Sequence, residues 1–68
     1  MWTVESIKAA LPDVAVQIGS DVIMGRVHDR ENSFATVTVK GGKLPGLRFE
    51  YTWSTIVHSL NANTPLTV

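Results

Sequence analysis

Cysteine is missing from this chain of 68 residues. That excludes a disulfide framework and any thiolate metal site, two devices that often stabilise so short a chain. Histidine occurs only at His28 and His58, and neither belongs to an HxxH or HExxH spacing, so no zinc-protease pattern is written here. The G-x-S-x-G turn that would expose a nucleophilic serine is absent. Gly41-Gly42-Lys43 lacks the P-loop spacing and no helical pattern follows it, so it reads as a hairpin loop. Charge of one sign is not in excess: six Lys+Arg balance six Asp+Glu, which argues against a strongly basic nucleic-acid module. No run approaches the roughly 18 consecutive apolar residues of a membrane span. Met1-Trp2-Thr3-Val4-Glu5 also lacks the basic-then-apolar design of a secretory signal. The expectations are a cytoplasmic protein with no membrane contact, no cofactor and no metal.

What is present describes a folded domain. Hydrophobic residues make up 44% of the chain, charged residues 18%, and the mean hydropathy is +0.11, which is not the composition of a solvated coil. The length admits one core, so residues 1–68 are read as a single domain.

Helix signals bracket a run of strand signals. Thr3 is placed to cap a first helix, with Trp2 and Ile7 in the two hydrophobic-staple positions. Val4, Ile7 and Leu11 form its apolar stripe, and Pro12 stops it. Val14, Val16 and Ile18 alternate in a first strand, and Gly19-Ser20 marks a turn. Asp21 to His28 is a second strand in which Gly25 signals a bulge or a close backbone approach. Asp29 to Ser33 is a polar hairpin connection. Phe34 to Lys40 alternates, with Ala35, Val37 and Val39 on one face. After the Gly41–Gly46 loop, Leu47, Phe49 and Tyr51 alternate in a fourth strand. A second helix begins at Thr52, carries the stripe Trp53, Ile56, Val57 and Leu60, and ends at Asn61-Ala62-Asn63. Leu66-Thr67-Val68 can add a short last strand. The recurrence of aromatic, Thr, Ile and Leu at the two helix starts follows from what capping and stapling require.

The predicted fold class is α+β: a small, strongly bent antiparallel sheet of four or five strands. An N-terminal helix precedes it and a second helix comes before a short last strand. An SH3-like or Sm-like barrel and an open sheet both satisfy the pattern.

Two features bear on function. Charge is unevenly distributed: Arg26, Arg30, Lys40, Lys43 and Arg48 face only Asp29 and Glu31 in one window, net +3, and the remainder is net −3. Apolar residues are also in surplus. Val22-Ile23-Met24 are consecutive, so in a strand one side packs on the helices and the other is covered by something else or remains an apolar patch, unless a closed barrel covers it within the chain. Self-association would supply that cover.

The stretch from Ala35 to Leu60, strand–loop–strand–Thr–amphipathic helix, is similar to the hairpin and helix of small phage head-to-tail joining proteins. The resemblance covers under half of the chain and implies a compact protein of a phage or mobile element that acts by binding.

Three functions follow in order. The first is a non-enzymatic interaction module, a homo-oligomer or a partner of another protein, whose contact residues are Val22, Met24, Arg26, His28 and Arg30. The second is a single-stranded nucleic-acid binder using Arg30, Phe34, Lys40, Lys43 and Arg48. The third is an oligomer that binds or transforms a small molecule between subunits, with His28 the one residue to nominate.

Overall fold

The computed structural model describes residues 1–29 and 33–68, so Arg30 and the middle of the Asp29–Ser33 connection lie outside the described residues. The elements run α1 (Val4–Ala10), β1 (Asp13–Ile18), β2 (Asp21–Asp29), β3 (Phe34–Val39), β4 (Arg48–Thr52), α2 (Trp53–Ala62) and β5 (Leu66–Thr67).

Helix α1 starts with a reciprocal cap. The Thr3 side chain accepts from the Ser6 N–H, and the Ser6 hydroxyl accepts from the Thr3 N–H at 2.8 Å. Ile7, four residues into the helix, is fully buried. The stripe ends sooner than the sequence suggests. Leu11 is a left-handed C-cap at φ 47° and is 40% exposed, so it does not join the core. Pro12 disfavours an α conformation at the residue before it, and Leu11 leaves the helix there.

Helix α2 follows β4 without a loop. Thr52 is both the last residue of the strand and the N-cap, accepting from the Thr55 N–H at 3.3 Å. Trp53 and Ile56 are buried, with Val57 and Leu60 packed beside them. Asn63 closes the helix in the left-handed conformation. Asn61 ties the chain start to this helix: its amide accepts from the Trp2 N–H at 2.7 Å and donates to the Trp2 carbonyl at 2.9 Å.

The strands form one sheet in the order β4-β3-β2-β1-β5. β1 to β4 are antiparallel neighbours, as the short connections require. β5 lies parallel to β1, pairing Val16 with Leu66 and Gln17 with Thr67, which makes the sheet mixed. β4 runs opposite to β1. Helix α2 carries the chain over the core to the far edge, where β5 takes β1's direction.

The sheet curls strongly into a half-barrel, the intermediate between the two predicted forms. Its inner face carries Val14, Val16, Val27, Ala35 and Val37, all essentially buried, against Ile7, Trp53, Ile56 and Leu66 from the helices and β5, and Val39 is buried on the same face outside that cluster. Each full burial of an Ile contributes about 1.5–3 kcal/mol. Gly25 is paired in continuous register with Val14 and Val39, so no bulge is present. A Cβ there would lie 2.5 Å from Val37 Cγ1, which makes Gly25 a close-approach site. The two edges of the sheet are joined by one side chain: the Tyr51 hydroxyl of β4 donates to the Thr67 carbonyl of β5 at 3.0 Å. Gly42, at φ +76°, lays the 40–47 loop directly on the Ile23 side chain.

Candidate docking surface

Both helices occupy the inner face, so the outer face of the sheet is left without a second layer. The strand period decides what it displays. From β2 come Val22, Met24, Arg26 and His28, from β3 Phe34, Thr36 and Thr38, and from β4 Arg48 and Glu50. β1 adds Asp13, Ala15 and Gln17.

Register turns these into rows. Asp13, Arg26, Thr38 and Arg48 lie in line across four strands. The next row is His28, Thr36 and Glu50. Met24 stands beside Ala15, and Val22 beside Gln17. The face is thus divided along β2, with an apolar end at Val22 and Met24 and a polar, cationic end at Arg26 and His28.

The apolar end is open. Val22 is 57% exposed and Met24 47%, whereas Ile23 between them turns inward and is half-buried. Among the described residues nothing covers this side of the triplet completely, and the sheet is not closed into a barrel that would do so. A groove of about 380 Å³ runs from Val22, Met24 and Ala15 around the β1 edge to Leu60 and Pro65. It exists because β5 is only two residues long and meets β1 at Val16 and Gln17, leaving the first half of β1 without a neighbour on that side.

The cationic end is hollowed. One depression of about 390 Å³ is lined by His28, Asp29, Thr36, Thr38 and Arg48. A second of about 330 Å³ is lined by Arg26, His28, Thr38, Val39 and Lys40. Thr36 is only 8% exposed although it sits on the face opposite the helices. Among the described residues the one ion pair is Lys40–Asp13 at 2.8 Å, which straddles β2 between the two ends. Both partners are well exposed, so the pair contributes at most about 1 kcal/mol. Arg26 and Arg48 enter no ion pair or side-chain hydrogen bond with the described residues.

The residues predicted for an interaction surface therefore fall together: Val22, Met24, Arg26 and His28 occupy consecutive outward positions of β2, and Arg30 lies outside the described residues. The residues predicted for nucleic-acid binding are spread. Phe34, 44% exposed, begins β3, whereas Lys40 follows its end, roughly 20 Å away. Lys43 lies on the 40–47 loop, lining a separate notch of about 290 Å³ with Ile18, Asp21, Ile23 and Leu44. Of that set, Arg48 lies in the Arg26 row with Thr38 between them, and Lys40 lines a hollow with Arg26. Sequence reading did not single out Thr36, Thr38 or Glu50. The signal was the parity of β3 and β4, since the residues alternating with Ala35, Val37, Phe49 and Tyr51 must share the face of Arg26 and His28.

Burial raises the Tyr51 hydroxyl above its usual 10.0. No three His, Asp or Glu side chains converge as a metal site among the described residues. No described helix is long and apolar enough to cross a membrane. Compared with family models, curated proteins and solved structures, the chain matches none of them.

Proposed function

We propose that this chain is a non-enzymatic interaction module that docks through the outer face of its sheet on a protein surface, its own second copy included. The observation that carries the reading is the adjacency of Val22 and Met24, both about half exposed, at the mouth of the apolar groove on a face with no second layer. Apolar anchors inside a polar rim are the usual anatomy of a contact surface, and Arg26 supplies such a rim here. A nucleic-acid strand is less well served. The outer face sets Arg26, Lys40 and Arg48 against Asp13 and Glu50, and its one exposed aromatic stands at the far end of β3.

The test is sedimentation from micromolar to millimolar protein at two salt concentrations, with and without a generic oligonucleotide. Mass should rise with protein concentration, more steeply at high salt, because apolar burial is strengthened while charge steering is screened. The double variant Val22→Thr/Met24→Thr, which keeps strand-forming side chains, should remain monomeric with unchanged unfolding. A mass independent of concentration, with outer-face amide signals equally unmoved, would refute the reading. A mass increase that needs the oligonucleotide and fades with salt would move the assignment to nucleic acid.

A further inference from the structure

The partner's chemistry is legible in the arrangement of that face, and the inference rests on the docking reading above. Arg26 and Arg48 are the two cross-strand neighbours of Thr38. They stand on either side of Thr38 on the same face, Arg48 lining one hollow and Arg26 the other, with Thr38 and His28 common to both, and neither arginine has an ionic partner among the described residues. Asp13 stands directly opposite Arg26 but is held by Lys40. Two forked donors flanking a hydroxyl form a receptor for one planar oxyanion, since a guanidinium presents paired N–H groups that match the two oxygens of a carboxylate.

The spacing to the apolar end decides what carries that carboxylate. Met24 lies one row from Thr38 and one strand over, about 8 Å, and Val22 lies about 7 Å further along β2. Residues i and i+2 of an extended chain are separated by about 7 Å. An extended segment reading apolar-x-apolar-x-acidic can therefore seat two side chains on Val22 and Met24 and its carboxylate over Thr38. We propose that the outer face recognises an extended, singly acidic peptide segment of this pattern. A polyanion fits worse: Glu50 and the paired Asp13 leave the face nearly neutral, and Asp29 lies at the rim of the hollow. Such a site rewards one carboxylate placed between two arginines, not a line of phosphates.

The experiment uses the whole chain and two capped peptides. One carries Val-Thr-Val-Thr-Glu in its centre and the other has Gln in place of Glu. Titrations are followed by amide chemical shifts, with inorganic phosphate and an oligonucleotide as further probes. The acidic peptide should move signals at Val22, Met24, Arg26, Thr38 and Arg48 and bind about tenfold more tightly than its Gln twin. Arg26→Ala and Arg48→Ala should each erode that preference, and Val22→Thr/Met24→Thr should weaken both peptides alike. Equal binding of the twins would overturn the acidic specificity while leaving the docking face in place. Preference for phosphate or the oligonucleotide would overturn the peptide assignment. Failure of both peptides with self-association intact would overturn this inference alone, and failure of both peptides and of self-association would remove the docking reading with it.

Discussion

Replacing Tyr51 by Phe isolates one interaction that shapes the sheet. The hydroxyl of Tyr51 reaches from one edge strand to the Thr67 carbonyl on the other, 3.0 Å away, and the ring stays packed against the core whether or not the oxygen is there. An intramolecular hydrogen bond contributes roughly 0.5–1.5 kcal/mol net. Thr67 is exposed, so water can take over its carbonyl in the variant, and the loss belongs at the lower end, about 0.5–1 kcal/mol. For a domain of this size that lowers the unfolding midpoint by about 2–8 °C. The same hydroxyl gives a second readout. Burial raises its pKa above 10.0 in the folded chain, so folding favours the protonated form. This contribution is fully present below pH 10 and is lost as pH rises through 10 toward the folded value. Thermal unfolding of wild type and Tyr51→Phe at pH 7 and at steps above pH 9 measures both effects. The two proteins differ only in this hydroxyl, so the difference between the curves reports Tyr51. The gap at pH 7 should narrow with alkali. A variant that melts with the wild type at pH 7 would show that the edge tie contributes nothing, and a gap that widens above pH 10 would show that folding does not favour the protonated hydroxyl.

Two further substitutions test the inner face. Gly25→Ala places a Cβ 2.5 Å from Val37 Cγ1, and Val37 is fully buried with nowhere to turn. Denaturant unfolding should show a loss of about 1–3 kcal/mol, and equal or greater stability would mean that the sheet is looser there than its packing indicates. Trp53→Ala removes a ring that is 5% exposed and lies 5.2 Å from the Lys8 ammonium. The cost is about 3–5 kcal/mol, close to the whole stability of a small domain, so circular dichroism should report a largely unfolded chain at 37 °C. A folded variant with lost binding would instead place Trp53 in the contact surface.

Much of this architecture was legible because local rules and global packing agree. Thr3 and Thr52 are helix caps by chemistry alone, and the alternation of Ala35, Val37 and Val39 names the buried side of β3 without reference to its partners. What stayed hidden depends on contacts distant in sequence. Two residues, Leu66 and Thr67, hold too little pattern to specify a parallel partner, so the mixed sheet was not predicted. The Tyr51–Thr67 tie joins strands at opposite edges, and only the curl of the whole sheet brings them within reach. The candidate surface was half legible. Val22, Met24, Arg26 and His28 declare their common side by spacing along one strand, whereas setting Arg48 beside Thr38 needs the register of the β3–β4 pairing. Leu11 misled because its helical spacing is right, and the proline after it outweighs that spacing.

The outer face follows from an imbalance between layers. A sheet has two faces, and this chain supplies two helices of seven and ten residues that meet each other and share one core. Nothing of the described chain is left to cover the opposite side. For a sheet to be stable with one wet face, that face needs only strand-forming and polar side chains, as Gln17, Thr36 and Thr38 illustrate. A single exposed apolar residue on it would carry no information, because such residues are common on protein surfaces. Val22 and Met24 are different in kind: they adjoin each other, border a groove that reaches Leu60 and Pro65, and give nothing to the core beneath them. Threonine at both positions would satisfy every requirement of the fold. Folding alone thus leaves the apolar choice at these two positions without a reason, which is what favours the proposed docking reading, and in that reading the two arginines on either side of Thr38 would set the polarity of the partner.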